Sequence, residues 1–63
     1  MPPKIKELIH ELETTGFVNR GGKGSHRNYA HPNGSRITIS GQLSEDAKPY
    51  QVRETKKKIQ ETK

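Results

Sequence analysis

The chain has 63 residues, no cysteine, and twelve Lys and Arg against seven Asp and Glu, for a formal charge of +5. That length allows one domain with a thin core, since a chain of this size buries only about 60% of the surface its unfolded form exposes. Lack of cysteine excludes a disulfide framework and thiolate metal sites, and no apolar run approaches the roughly 20 residues of a membrane span. Met1-Pro2-Pro3-Lys4 leads straight into an amphipathic pattern without a signal-peptide apolar region, so a protein of the reducing cytoplasm is expected.

Ile5, Leu8, Ile9 and Leu12 follow the i, i+3, i+4, i+7 spacing of one helix face, predicting a first helix over 3–14 with Pro3 in its first turn. Gly16 is placed to end it in a left-handed cap. A first strand is expected over 17–20, from Phe17 to Arg20, and Gly21-Gly22-Lys23-Gly24 is expected to be a loop. A second strand follows over 26–31, its inward face left open because Tyr29 and Ala30 alternate. Pro32-Asn33-Gly34 reads as a tight turn, and the alternation in Arg36-Ile37-Thr38-Ile39-Ser40 predicts a third strand over 36–40.

A polar connection then leads to Pro49, which opens a second helix over 49–62. Its apolar face is poor, so it is expected on the surface, fastened by Val52 and Ile59 with Tyr50 as a third candidate. The whole of 1–63 thus reads as one α+β domain ordered α-β-β-β-α, a three-stranded antiparallel sheet covered by two helices, chiefly the first. Phe17, Ile37 and Ile39 are expected to meet Leu8, Ile9 and Leu12. Leu, Ile, Val and Phe number only eleven, under the roughly 20% at which disorder becomes an alternative, but they are clustered and periodic, so a marginal fold that gains stability from a partner is expected.

No acidic residue lies between Glu13 and Glu45, and that segment carries Arg20, Lys23, Arg27 and Arg36. A small basic domain with such a segment favours a polyanionic partner, nucleic acid being the commonest, although +5 also serves solubility. Within the segment His26 follows a flexible, cationic, glycine-rich loop. Histidine can give or take a proton near neutral pH, and backbone N–H groups beside Lys23 can hold a phosphate. His10 lies off the apolar stripe, and His31 precedes Pro32 at a strand end, where a structural role is the default. The three histidines lack metal-ligand spacing and no carboxylate completes a set, so no metal or cofactor is expected.

The chemistry that fits His26 is phosphodiester transesterification in RNA, with the imidazole moving protons and Arg20, Lys23 or Arg27 offsetting phosphoryl charge. Ser25 can donate to phosphate or cap the turn. A serine hydrolase is a poor fit, since Ser25 and His26 are adjacent and no carboxylate orients the imidazole. The glycine-rich loop is not a Walker A motif either.

Several segments together carry a resemblance: Lys6-Glu7-Leu8-Ile9, Gly16-Phe17, Lys23-Gly24-Ser25-His26 with Tyr29, His31-Pro32-Asn33-Gly34, Ile37-Thr38-Ile39, and Asp46-Ala47-Lys48-Pro49-Tyr50-Gln51-Val52. In this order and spacing, over roughly 4–59, the chain resembles the HicA toxins of bacterial toxin–antitoxin systems. The resemblance implies a double-stranded-RNA-binding-like fold and the toxin of a type II system. It also implies a metal-independent mRNA endoribonuclease that blocks translation, with His26 as the active residue and a cognate HicB-like antitoxin as partner. Arg20, Lys23, Gly24, Ser25, Arg27 and Arg36 are then the candidate RNA-binding residues. Thr55-Lys56-Lys57-Lys58 departs from the more apolar second helix common in the family. The alternative is an RNA-binding module in which His26 only contacts the backbone; a chain that chiefly binds a protein is a third reading.

Overall fold

In the computed structural model, which describes residues 2–62, the order is α1 (Ile5–Thr14), β1 (Val18–Gly21), β2 (Arg27–Ala30), β3 (Arg36–Ile39) and α2 (Pro49–Gln60). The strands form one antiparallel sheet in the order β1-β2-β3. The expected α+β architecture is the one found.

Helix α1 buries Ile5, Leu8, Ile9 and Leu12, the four residues of its apolar stripe. They join Phe17, Tyr29, Ile37, Ile39 and Ala47 in a single core. Tyr29 is therefore the inward residue of β2, and Ala30, Asn28, Arg36 and Thr38 belong to the other face of the sheet. Burial, and after it the Glu13 carboxylate, hold the Tyr29 phenol above its ordinary pKa, so it stays protonated at neutral pH and offers no base.

The helix ends in a Schellman motif. Gly16 has φ +107°, its N–H donates to the Glu13 carbonyl, and the Phe17 N–H reaches back to the Leu12 carbonyl. Phe17 thus belongs to the helix stop and packs on the core ahead of β1, not within the strand as expected. Glycine at position 16 is needed twice over, because a Cβ there would also stand 3.0 Å from His31 Nε2.

Other boundaries differ for local reasons. Pro3 lies outside α1: its carbonyl accepts from the Ala47 N–H, and extended Lys4 bridges to Asp46, drawing the chain away from helix. Gly21 belongs to β1 and not to the loop, pairing with Asn28 across a bulge that absorbs Arg20. Strand β2 omits His26 and His31, and β3 stops before Ser40. Helix α2 ends at Gln60, where Glu61 and Thr62 return hydrogen bonds to Lys57 and Ile59.

Helix α2 is more deeply seated than its composition implied. Gln51 and Thr55 are its buried residues, packed toward β3, with Val52 and Ile59 only partly buried and Tyr50 exposed. Its polar anchors hid the inward stripe from a hydropathy reading. Both helices start alike: the Lys4 N–H is capped by Glu7 Oε2 at 2.6 Å and the Lys48 N–H by Gln51 Oε1 at 2.8 Å. Among the described residues no helix is long and apolar enough to cross a membrane.

Candidate active site

The glycine-rich connection between β1 and β2 places His26 immediately before the first residue of β2. The His26 N–H donates to the Lys23 carbonyl at 2.9 Å, closing a four-residue turn. Gly24, the first central residue, has φ +57°, and Ser25 does not have positive φ. That is the type II′ pattern, which calls for glycine at the first central position. Gly22 is required for a different reason: a Cβ there would overlap the His26 carbonyl oxygen and stand 3.2 Å from Arg27 Cα.

His26 is exposed, and among the described residues its imidazole has no hydrogen-bond partner. His31 is the opposite case. Its Nδ1 accepts from the Asn33 N–H at 3.1 Å, so Nε2 is assigned the proton and donates to the Thr15 carbonyl at 3.2 Å. Its ring also packs on Phe17 with centroids 5.1 Å apart. Both nitrogens of His31 thus hold the fold together, and His10 is exposed on α1.

The candidate cations fall into separate places. Arg20 and Arg36 line a groove of about 650 Å³ on the outer face of the sheet, together with Asn28 and Thr38. Gly24, Ser25 and Arg27 line a second depression, of about 500 Å³, closed by Gln42, Leu43 and Ser44. Lys23 is exposed on the turn itself. Ser25 does not cap its turn through the side chain; the backbone bond from His26 closes it.

Among the candidate RNA-binding cations, Arg27 is the one whose side chain has partners within the described residues. Its Nη1 donates to the Ser25 carbonyl at 3.2 Å and to the Gly41 carbonyl at 2.9 Å. Beside Gly41, the Ser40 carbonyl accepts from Gln51 Nε2 at 2.9 Å, which ties the segment after β3 to α2. Sequence reasoning gave no anchoring role to Gly22, Gly41 or Gln51. The run of glycines signalled a flexible loop, but a close backbone approach leaves no mark in a single sequence. Among the described residues no group of three or more His, Cys, Asp or Glu is placed to hold a metal ion.

The profile of the family described as the HicA toxin of bacterial toxin–antitoxin matches residues 5–60. No curated protein matches the sequence. Among solved structures, a chain of a "Toxin-Antitoxin complex from Streptococcus pneumoniae" is similar with a TM-score of 0.71 and 32% identity, covering 94% of this chain and 98% of that one. The helix–turn–sheet arrangement that presents His26 therefore lies within a matched region of nearly full length, and the chain belongs to the HicA toxin family.

Proposed function

We propose that the protein is the toxin of a type II toxin–antitoxin pair, acting in the cytoplasm as a metal-independent mRNA endoribonuclease that blocks translation. His26 is its general acid and base. The observation that carries this reading is the contrast between the histidines: His31 spends both ring nitrogens on the fold, while His26 is exposed and unengaged on a tightly built turn.

Neutral His26 takes the proton from a ribose 2′-hydroxyl as that oxygen attacks the adjacent phosphorus. The bond from phosphorus to the 5′-oxygen breaks, leaving a 2′,3′-cyclic phosphate, and the imidazolium returns the proton to the departing 5′-oxygen. Lys23 and the backbone N–H groups of the Gly24–Ser25 turn are suited to the charge growing on the phosphoryl oxygens, and Arg20 and Arg36 to neighbouring phosphates. The family membership and the toxin–antitoxin neighbour support a partner that restrains the toxin, here proposed as a HicB-like antitoxin over His26.

The test is cleavage of a long single-stranded RNA by purified protein in the presence of a chelator. His26→Ala is expected to lower the rate by about 100-fold or more, the contribution typical of a positioned acid–base group. Cleavage by His26→Ala at the parent rate overturns the assignment. A second reading, binding without cleavage, draws on the placement of Arg20 and Arg36 in a groove on the outer sheet face. It prevails if the parent binds RNA and leaves it intact.

A further inference from the structure

We propose that Arg27 is a positioning residue: its guanidinium fastens the turn carrying His26 to the segment after β3, and it does not grip RNA phosphate. The catalytic half of this proposal rests on the assignment of His26 as the acid–base residue. The anchoring half stands on geometry alone.

Both peptide units that flank His26 are fixed. The one before it, Ser25 to His26, is held at its two ends: the N–H donates to the Lys23 carbonyl, and the Ser25 carbonyl accepts from Arg27 Nη1. The one after it has its carbonyl packed against Gly22, with no room for a Cβ. Backbone freedom at His26 is thereby removed, and the imidazole keeps only its own side-chain rotations. Arg27 is what connects this pinned turn to the rest of the fold, since the same Nη1 also donates to the Gly41 carbonyl. The neighbouring Ser40 carbonyl is in turn held by Gln51 from the first turn of α2.

Arg27 is poorly placed to meet RNA. It is half-buried, it sits opposite Ile39 in the ladder, and it shares the inward face of β2 with Tyr29. Two carbonyls already take the two protons of Nη1, and withdrawing them would leave partly buried acceptors unpaired. Arg20 and Arg36, by contrast, are exposed on the groove of the outer face, and among the described residues neither guanidinium has a hydrogen-bond partner.

The experiment compares Arg27→Met with the parent in cleavage, in RNA binding and in amide exchange. Expected for Arg27→Met is a fall in kcat of about 10- to 100-fold with KM within about twofold, since a misplacement near 1 Å costs roughly that much. Binding of a short 2′-O-methyl RNA, which lacks the attacking hydroxyl, is expected to keep its salt dependence. Exchange of the His26 amide should quicken while the amides of α1 stay protected. A phosphate contact would instead weaken binding and reduce the slope of log affinity against log salt by about 0.7. That result, or an unchanged kcat with an unchanged His26 amide, overturns the proposal.

The parent protein supplies a measurement free of folding effects. Its Arg27 guanidinium NMR signals are expected to stay in place as the 2′-O-methyl RNA is added, and a shift would contradict the anchoring role. If His26→Ala cleaves normally, the catalytic assignment fails, and the binding, exchange and guanidinium measurements still decide what Arg27 does.

Discussion

Thr55 is the buried residue with the least explained chemistry. It is fully shielded in the middle of α2, and among the described residues its hydroxyl is the buried side-chain polar group left without a hydrogen-bond partner. A buried hydroxyl without a partner costs about 1–3 kcal/mol by mutational measures, and valine has nearly the same shape. Thr55→Val is therefore expected to stabilise the protein by about 1 kcal/mol, a rise in Tm of about 4–8 °C for a domain of this size. A lower Tm would mean that the hydroxyl is engaged. His31 makes the complementary point, since its position before Pro32 marked it as structural and the bonds to Asn33 and Thr15 give that role a mechanism.

At the scale of elements, the connection from β1 to β2 is a built object and not slack chain. Gly22→Ala is expected to displace the His26 carbonyl, because the clash is with backbone that has no rotamer to give. Cleavage should drop by at least about 10-fold while the circular dichroism of the helices is retained, given how steeply rates respond to small misplacements. Activity equal to the parent would show that the turn tolerates movement.

The elements themselves were legible because their signals are periodic: the stripe of Ile5, Leu8, Ile9 and Leu12, the alternation of Ile37 and Ile39, the proline at the start of α2. What was not legible rests on contacts between distant residues. Gln51 and Thr55 read as solvent-facing until β3 is placed beside them, and Pro3 reads as a helix start until Ala47 takes its carbonyl. The turn that presents His26 was legible from its glycines, whereas the Arg27 contact beside it runs to Gly41, fourteen residues further on.

For the whole molecule the relevant quantity is where the charge stands. The acid-free segment between Glu13 and Glu45 supplies the sheet and the glycine-rich turn, whereas α2 mixes its lysines and arginine with Glu54, and Glu61 follows at its end. Binding of single-stranded RNA is expected to depend on Arg20, Lys23 and Arg36, giving a slope of log affinity against log salt near −2 at about −0.7 for each phosphate neutralised. Replacing Arg36 by Met should flatten that slope by about 0.7 and weaken binding to all sequences alike. A slope near zero would remove the electrostatic footprint from the account.

The ladder that ties the start of the chain to its second half has a consequence for synthesis. The first orphan N–H groups of α1, on Ile5 and Lys6, donate to the Glu45 and Leu43 carbonyls, the Ala47 N–H donates to the Pro3 carbonyl, and Lys4 pairs with Asp46 at 2.6 Å. A ribosome delivers residues 3–6 long before 43–47, so α1 emerges with its leading end unsatisfied and no surface to dock on. The stretch that completes α1 is also the one just past Gly41, on which the His26 turn is hung. A nascent chain halted before that stretch thus carries every residue of the glycine-rich turn and Gly41, but lacks both the partners of the leading α1 N–H groups and the Gln51 amide that holds the Ser40 carbonyl.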